Sequence, residues 1–271
     1  MKSLSIGVGL FGILAFVVAA TGEDATTAVL GAVALLCAFA TFNASRISSF
    51  LKIFIGIFST ETIVFGLPVL AGRVGLWPEA YAEYLPPESL PLTVAIFSIL
   101  VYAAERLRVV RQITRIADRY FNATDGTTAR IWPFRPFTAR ERTVAIAMVV
   151  FLVLINQAQV GIQVRLTFFN RDWFNAIQNR DAAAFWQQLL LVFTPWALIY
   201  VASAVIEFFT QSMLIIRWRR WLTDHLIERW LANHAHYHIS LAGTQAANPD
   251  QRIQEDGARF INGASDGATR S

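Results

Sequence analysis

Lysine and cysteine are nearly absent from this sequence of 271 residues. Lys2 and Lys52 are the only lysines among 23 basic residues, and the others are all arginine. The single Cys37 cannot form an intrachain disulfide, so the cysteine content does not indicate a redox compartment. The net charge of +4 is modest, and nothing in its distribution suggests base readout. We therefore expect no nucleic acid partner.

Motifs for catalysis and metal binding are also missing. The sequence has no GxxxxGK[ST] segment and no other loop that would cradle a phosphate. We therefore expect neither a catalytic site nor an ATP site in this chain. His234, His236 and His238 alternate along the sequence, but only the first and last would share a helix face. Because a metal needs convergent ligands, we expect solvated polar positions here and no metal or cofactor.

Long apolar runs are what the sequence does contain. Hydrophobic residues make up 55% of it and the mean hydropathy is +0.46, too apolar for an ordinary soluble domain. We predict an all-α integral membrane protein whose last span continues as a long cytoplasmic helix. Residues 2–20 resemble a signal peptide, but we favour an uncleaved helix because another apolar run follows at once. The six predicted spans lie near residues 4–20, 26–43, 49–71, 91–105, 143–164 and 186–216.

Arginines alternate between the two sides of these spans. Under the positive-inside rule they place the N-terminus and the arginine-rich segment 106–142 in the cytoplasm. Three arginines after span five then fall on the outer side, which is the weak point of this topology. We predict two modules: a four-span unit over 1–120 and a second membrane module that begins at 121 and runs to 271. Within the first, residues 105–120 predict an amphipathic helix that either continues span four or lies on the membrane surface.

Polar residues inside the spans are the candidates for a substrate or proton path. Glu61 lies in the middle of span three, where an ionisable group is costly and suggests a function. The alternative is a protonated glutamate bonded to a neighbouring helix. Gln157 belongs to a polar set in span five, with Asn156, Gln159 and Gln163, that could line a water-filled path or bond across helices. Glu207 and Gln211 share a face of span six that should point inward.

The C-terminal third gives two further candidates. The cluster Arg217, Trp218, Arg219 and Arg220 marks the membrane exit of span six, although many membrane helices end in this way. Farther on, a turn and a capped helix start form a compact charged element, which we interpret as a cytoplasmic docking surface. The alternative is a self-contained helix start with a local Arg252–Glu255 pair. The docking residues are Asn248, Pro249, Asp250, Gln251, Arg252, Glu255 and Asp256.

Two of these segments carry a family resemblance. RWRRWLTDHLIERWL followed by NPDQRIQED resembles the permease half of ABC transporters in the SbmA/BacA-like group, which is related to peroxisomal fatty-acyl transporters. NRDWFNAI, which begins at Asn170, is similar to the segment between the first two permease helices of that group. The match covers roughly residues 140–263. It implies an ABC-exporter-like permease in the bacterial inner membrane that forms a homodimer, with each permease followed by a nucleotide-binding domain that uses ATP and Mg²⁺.

The resemblance leaves several functions open. The group moves bulky cargo such as peptides, cobalamin or fatty-acyl compounds, and the sequence does not choose among them. An ATPase-free branch uses the proton gradient, and Glu61 and Glu207 would then matter more. A membrane sensor or scaffold that docks partners through its arginine-rich segments is a third possibility. The chain ends in a glycine- and serine-rich run, 263–271, and we expect that it is the N-terminal portion of a longer permease.

Overall fold

A computed structural model describes residues 1–22, 24–78, 85–129 and 137–232, together with Glu255 and Arg259. The protein is an all-α integral membrane protein. Its chain divides into two compact units, Met1–Arg142 and Thr143–Ser271. In the described part, five helices are long and apolar enough to cross a membrane, or six if one sharply bent helix pair counts as a span. The prediction of about six spans is therefore confirmed.

The first unit holds the first four predicted spans. The fourth span is short, and the helix after it turns away by 89°. The linker helix therefore does not extend span four in a straight line. The helices are α1 (Lys2–Gly22), α2 (Ala25–Asn43), α3 (Ser49–Arg73), α4 (Ser89–Ala104) and the linker helix α5 (Arg108–Phe121).

Small residues let α1 and α2 approach closely. A Cβ built on Gly12 would lie 3.1 Å from the carbonyl oxygen of Gly31, and one on Gly31 would lie 3.0 Å from that of Gly12. The two backbones therefore approach closely, with the side chains of Leu35 and Phe16 packed against the glycines, as small residues allow in membrane helices. Gly66 of α3 plays a similar part, because its missing side chain leaves room for the ring of Phe11.

A buried chain of hydroxyl groups joins α2, α3 and α4. The Thr41 and Ser59 hydroxyls lie 2.7 Å apart, and Ser59 lies 3.1 Å from the hydroxyl of Ser98. All three side chains are fully buried, and the Cys37 thiol lies 3.5 Å from Ser59. In an apolar interior these groups satisfy one another, so they stabilise one packing of the three helices. No motif or spacing in the sequence predicted this row of hydroxyl groups.

One face of the linker helix α5 packs against the rest of the first unit. Thr114, Ala117, Tyr120 and Phe121 are buried, and the Tyr120 hydroxyl donates a 2.9 Å hydrogen bond to Glu141. One face of α5 is therefore buried. Apolar residues also lie on its exposed side, where Ile113 faces outward.

A short antiparallel hairpin follows α5. It pairs β1 (Gly126–Ala129) with β2 (Phe137–Arg140), and Gly126 lies opposite Arg140. Residues 126–129 thus have a partner strand in 137–140.

The second unit is built on two long helices, α6 (Glu141–Gln178) and α8 (Thr194–Leu231). Each has 38 residues and is about 57 Å long, well beyond a ~30 Å hydrocarbon layer. The helix that holds span five extends well beyond the predicted range 143–164, to Gln178. No proline interrupts it, so the NRDWFNAI segment and Arg171 continue the helix. Only residues 179–181 separate α6 from the short α7 (Ala182–Gln187).

A widened turn leads into α8. Residues Gln188–Phe193 form a π-helix just before Pro195, and the Thr194 hydroxyl donates a 2.9 Å hydrogen bond back to the Leu189 carbonyl. Thr194 therefore does not cap a separate helix. Proline has no N–H to donate, and a local change in the hydrogen-bond ladder accommodates it.

Candidate functional site

Two polar contacts join α6 and α8 within the second unit. The Nε2 amide of Gln159 donates a 2.7 Å hydrogen bond to the Oε2 atom of Glu207. Four residues farther along α6, Gln163 donates a 3.2 Å hydrogen bond to the hydroxyl of Tyr200. The pairing runs forward on α6 and backward on α8, so the two helices are antiparallel. Of the two alternatives for this polar set, bonding across helices is the one that Gln159 and Gln163 show.

The residues that form these two contacts coincide only in part with those predicted for the substrate or proton path. Glu207 takes part as expected, and Gln211, one turn farther along α8, is half-buried. Gln157 is also half-buried, but the buried partner of Glu207 is Gln159. Gln159 and Gln163 belong to the polar set identified in span five, and their i,i+4 spacing places them on one face of the helix. Tyr200 lies well inside the apolar run of span six, where nothing in the sequence pattern distinguished it.

Glu61 belongs to the first unit, whereas the other three predicted path residues belong to the second. It is half-buried in α3, between the fully buried Ser59 and Thr62. A carboxyl group in such a position is not surrounded by lipid alone, so the structure allows both a packing role and a functional one.

Aromatic rings gather where α6 meets α7 and the π-turn. The Trp173 ring lies 5.4 Å from Phe185, and Phe169 lies 5.1 Å from Phe193. These contacts explain why the tryptophan- and phenylalanine-rich NRDWFNAI segment is helical: its rings pack on the returning chain. Next to this cluster, Arg171 forms a 2.9 Å salt bridge with Asp172.

The expected membrane exit lies inside α8, with no break in the helix. Trp218 is buried, and Arg219 and Arg220 are exposed. One turn later the rings of Trp221 and His225 stack at 5.1 Å. From Ala182 the helical chain runs 50 residues to Leu231, so the last span does continue as a long helix. Arg217, which begins the cluster, is half-buried.

Comparison with known proteins supplies the identity of this part of the chain. Residues 135–269 match the family model described as ABC transporter transmembrane region 2. This part of the chain is an ABC transporter transmembrane region. The long antiparallel pair α6 and α8 lies within it, and so does the Gln159–Glu207 contact.

Curated relatives of this region come from bacteria, plants and animals. The chain is 34% identical over 125 residues to the inner membrane ABC transporter ATP-binding protein YddA of Escherichia coli, covering 45% of this chain and 22% of that protein. It is 28% identical over 158 residues to the chloroplastic ABC transporter D family member 2 of Arabidopsis thaliana, covering 58% and 20%. It is 32% identical over 91 residues to the human lysosomal cobalamin transporter ABCD4, covering 33% and 14%.

The chain thus spans about a fifth or less of the length of these relatives. No solved structure is significantly similar to it.

Most of the predicted docking stretch of this ABC region lies outside the described residues. Asn248, Pro249, Asp250, Gln251, Arg252 and Asp256 belong to that part of the chain, as do His234, His236 and His238. Glu255 is helical and exposed, and its carboxylate lies 3.8 Å from the guanidinium group of Arg259. Within the described residues, no cluster of three or more His, Cys, Asp or Glu side chains could hold a metal.

Proposed function

We propose that this chain is the membrane part of an ATP-driven transporter that moves a bulky substrate across the bacterial inner membrane. The substrate is of the peptide, cobalamin or fatty-acyl type. The observation that carries the proposal is the match of residues 135–269 to an ABC transmembrane region, on helices that extend beyond the bilayer. Relatives named as ATP-binding proteins and as a cobalamin transporter support it. As part of this proposal we place the chain in the SbmA/BacA-like group.

ATP hydrolysis belongs, in this proposal, to a nucleotide-binding domain outside the 271 residues. That domain binds ATP and Mg²⁺, and two copies of the permease form a homodimer around the substrate path. The N-terminus and the exit of α8 at Arg217 face the cytoplasm. The large share of each ATP-binding relative that lies beyond the matched region supports a separate domain.

The docking stretch from Asn248 to Asp256 couples the permease to that domain. It follows α8 in sequence, beyond the arginine cluster, so it is placed to meet a soluble partner. Glu255, within this stretch, is exposed, and its carboxylate lies 3.8 Å from the guanidinium group of Arg259.

The test uses the complete protein in proteoliposomes. Arg252→Ala should fold and insert normally, yet its ATP hydrolysis should no longer respond to substrate. Arg259→Ala is the matched control, because it removes a local partner of Glu255 and should leave stimulation unchanged, an exposed pair being worth ~0–1 kcal/mol. Wild-type stimulation in Arg252→Ala would rule out a coupling role for that residue.

Proton-driven transport is the second candidate, and the Gln159–Glu207 contact favours it. A carboxylate held by an amide inside an apolar region is a group that proton carriers use. The two mechanisms separate in one assay. Uptake that needs ATP and ignores an imposed proton gradient supports the ABC mechanism, whereas uptake driven by the gradient without ATP supports the alternative.

A further inference from the structure

An arginine-rimmed cavity lies in the first unit and is lined by residues outside the segment matched to the ABC region. It is a hollow of about 420 Å³ where the end of α4, the α2–α3 connection and the first half of α5 meet. Arg46, Arg106, Arg111 and Arg115 line it. A cavity of this size is sufficient for a small polar ligand, because typical ligand pockets occupy ~300–1,000 Å³.

The guanidinium groups of these arginines are available to a ligand. All four side chains are exposed, and none forms a salt bridge with a described residue. Arg106 lies 5.7 Å from the ring centre of Tyr102, which leaves its N–H groups free to point into the hollow. Guanidinium groups bind phosphate oxygens in a bidentate manner, so such a cluster is suited to a phosphate group.

The two carboxylates of the cavity are already engaged by its own walls. Asp118 accepts a 3.2 Å hydrogen bond from the backbone N–H of Phe50 in the first turn of α3. Glu105 accepts a 3.5 Å hydrogen bond from the hydroxyl of Thr114. They fix α5 against α3 and α4. With four arginines and two carboxylates, the cavity retains net positive charge.

The position of the cavity suggests what supplies the phosphate. The apolar span α2 ends at Asn43, α4 ends at Ala104, and α3 begins at Ser49, so the cavity lies at the boundary between membrane and water. Headgroups of phospholipids lie at this depth.

An exposed apolar stripe runs along another face of α5. Val109, Ile113 and Ile116 recur at i, i+4 and i+7, so they share a face, and each is more than 40% exposed. A helix with one apolar face and one basic face lies in the membrane interface, with its apolar face among acyl chains. This amphipathic pattern also places α5, which lines the cavity, at the depth of the lipid headgroups.

We propose that this cavity binds a phosphate group and that an anionic phospholipid headgroup supplies it. The arginines contact the phosphodiester of the headgroup. Basic pockets between membrane helices bind acidic headgroups in this way. The bound lipid would hold α5 at its 89° angle to α4 and so fix the linker that leads to the second unit.

Native mass spectrometry of the whole purified protein, delipidated and then given phosphatidylglycerol or phosphatidylcholine, tests the site. We expect retention of phosphatidylglycerol in preference to phosphatidylcholine. The double variant Arg111→Gln/Arg115→Gln should retain it roughly tenfold more weakly. Arg108→Gln/Arg119→Gln is the matched control, because these exposed arginines lie on the same helix but do not line the cavity. It should change retention by less than about threefold.

Three results would overturn the proposal. Equal retention of both lipids would show that the anionic headgroup has no role. Equal loss of retention in both double variants would show that retention depends only on general surface charge. Displacement of the lipid by millimolar inorganic phosphate would identify a free-anion site instead. All four substitutions are at exposed positions, so the thermal unfolding temperature of each variant should stay close to that of the wild type.

Discussion

The Oε2 atom of Glu207 accepts a 2.7 Å hydrogen bond from the Nε2 amide of Gln159, and this contact joins the two long helices of the ABC region. Glu207→Gln keeps an acceptor oxygen for Gln159, so packing and ATP-driven transport should both persist. Glu207→Ala leaves the buried amide without this partner and should weaken the helix pair by ~0.6–1.7 kcal/mol. Thermal unfolding in detergent and uptake by proteoliposomes measure the two effects.

Gln211→Ala serves as the control for the Glu207 variants, because Gln211 lies one turn away on α8. A Glu207→Gln protein that folds normally but loses the pH dependence of uptake would support proton coupling and count against a packing role.

Gly66 and Phe11 give a prediction about stability. A Cβ at Gly66 would lie 2.2 Å from the Cζ atom of the buried Phe11 ring, so Gly66→Ala forces the ring out of a packed site. We expect a loss of ~1–3 kcal/mol in the free energy of unfolding. Gly56→Ala is the matched control on the same helix, since its Cβ meets open space. Rescue of Gly66→Ala by Phe11→Leu would confirm the clash, and equal stability of the two alanine variants would refute it.

Asp24 gives a prediction about pH. Hydrogen bonds from Thr27 and Thr26, with the Arg73 guanidinium nearby, hold the pKa of Asp24 below its ordinary value of 3.8. A lowered pKa means that the carboxylate stabilises the fold above pH 3.8 and that this contribution is lost as the pH falls through the folded-state pKa. Glu88, which also pairs with Arg73, faces the same cluster.

The measurement for Asp24 is thermal unfolding at neutral pH and at a pH below 3.8. Asp24→Asn should be less stable than the wild type at neutral pH, and the difference should shrink in acid. Thr27→Val removes the strongest hydrogen bond to Asp24, so its loss of stability should begin at a higher pH. A difference between wild type and Asp24→Asn that does not depend on pH would contradict the prediction.

Glu61 in α3 gives a prediction about transport. We expect Glu61→Gln to impair uptake while protein level and membrane insertion stay normal, because an ionisable group at this depth suggests a role in the path of substrate or protons. Thr60→Val changes the adjacent exposed residue and should leave uptake unchanged. Normal uptake by Glu61→Gln would assign the residue to packing alone.

Topology can be tested with reporters fused into the first unit. A reporter placed after Arg119 should be active only in its cytoplasmic form, because arginines are retained on that side. A reporter placed after Trp77, in the connection between α3 and α4, should be active only in its exported form. Activity of the exported reporter after Arg119 would overturn the predicted orientation.

The extent of the spans was predictable only in part. The run 186–216 was too long for a bilayer, so the sequence indicated that its helix continues, and α8 does reach Leu231. The sequence predicted too short a helix for α6, because Arg165 and Arg171 were interpreted as the start of a loop. Arginine is a good helix former, and its long stem carries the charge to water, so a helix can pass through such residues without ending.

The sequence alone determined that the protein is a helical membrane protein and where its apolar spans lie. The reason is local: in lipid, each backbone amide must be satisfied within its own helix, so an apolar run of sufficient length predicts a span. The tertiary structure decided which side chains meet, including Gln159 with Glu207, Thr41 with Ser59, and Arg46 with Arg111 around the cavity. These pairs are far apart in sequence, and helix rotation and crossing decide whether they meet. Packing of the whole unit determines the rotation and the crossing of each helix, and no single segment encodes these two quantities.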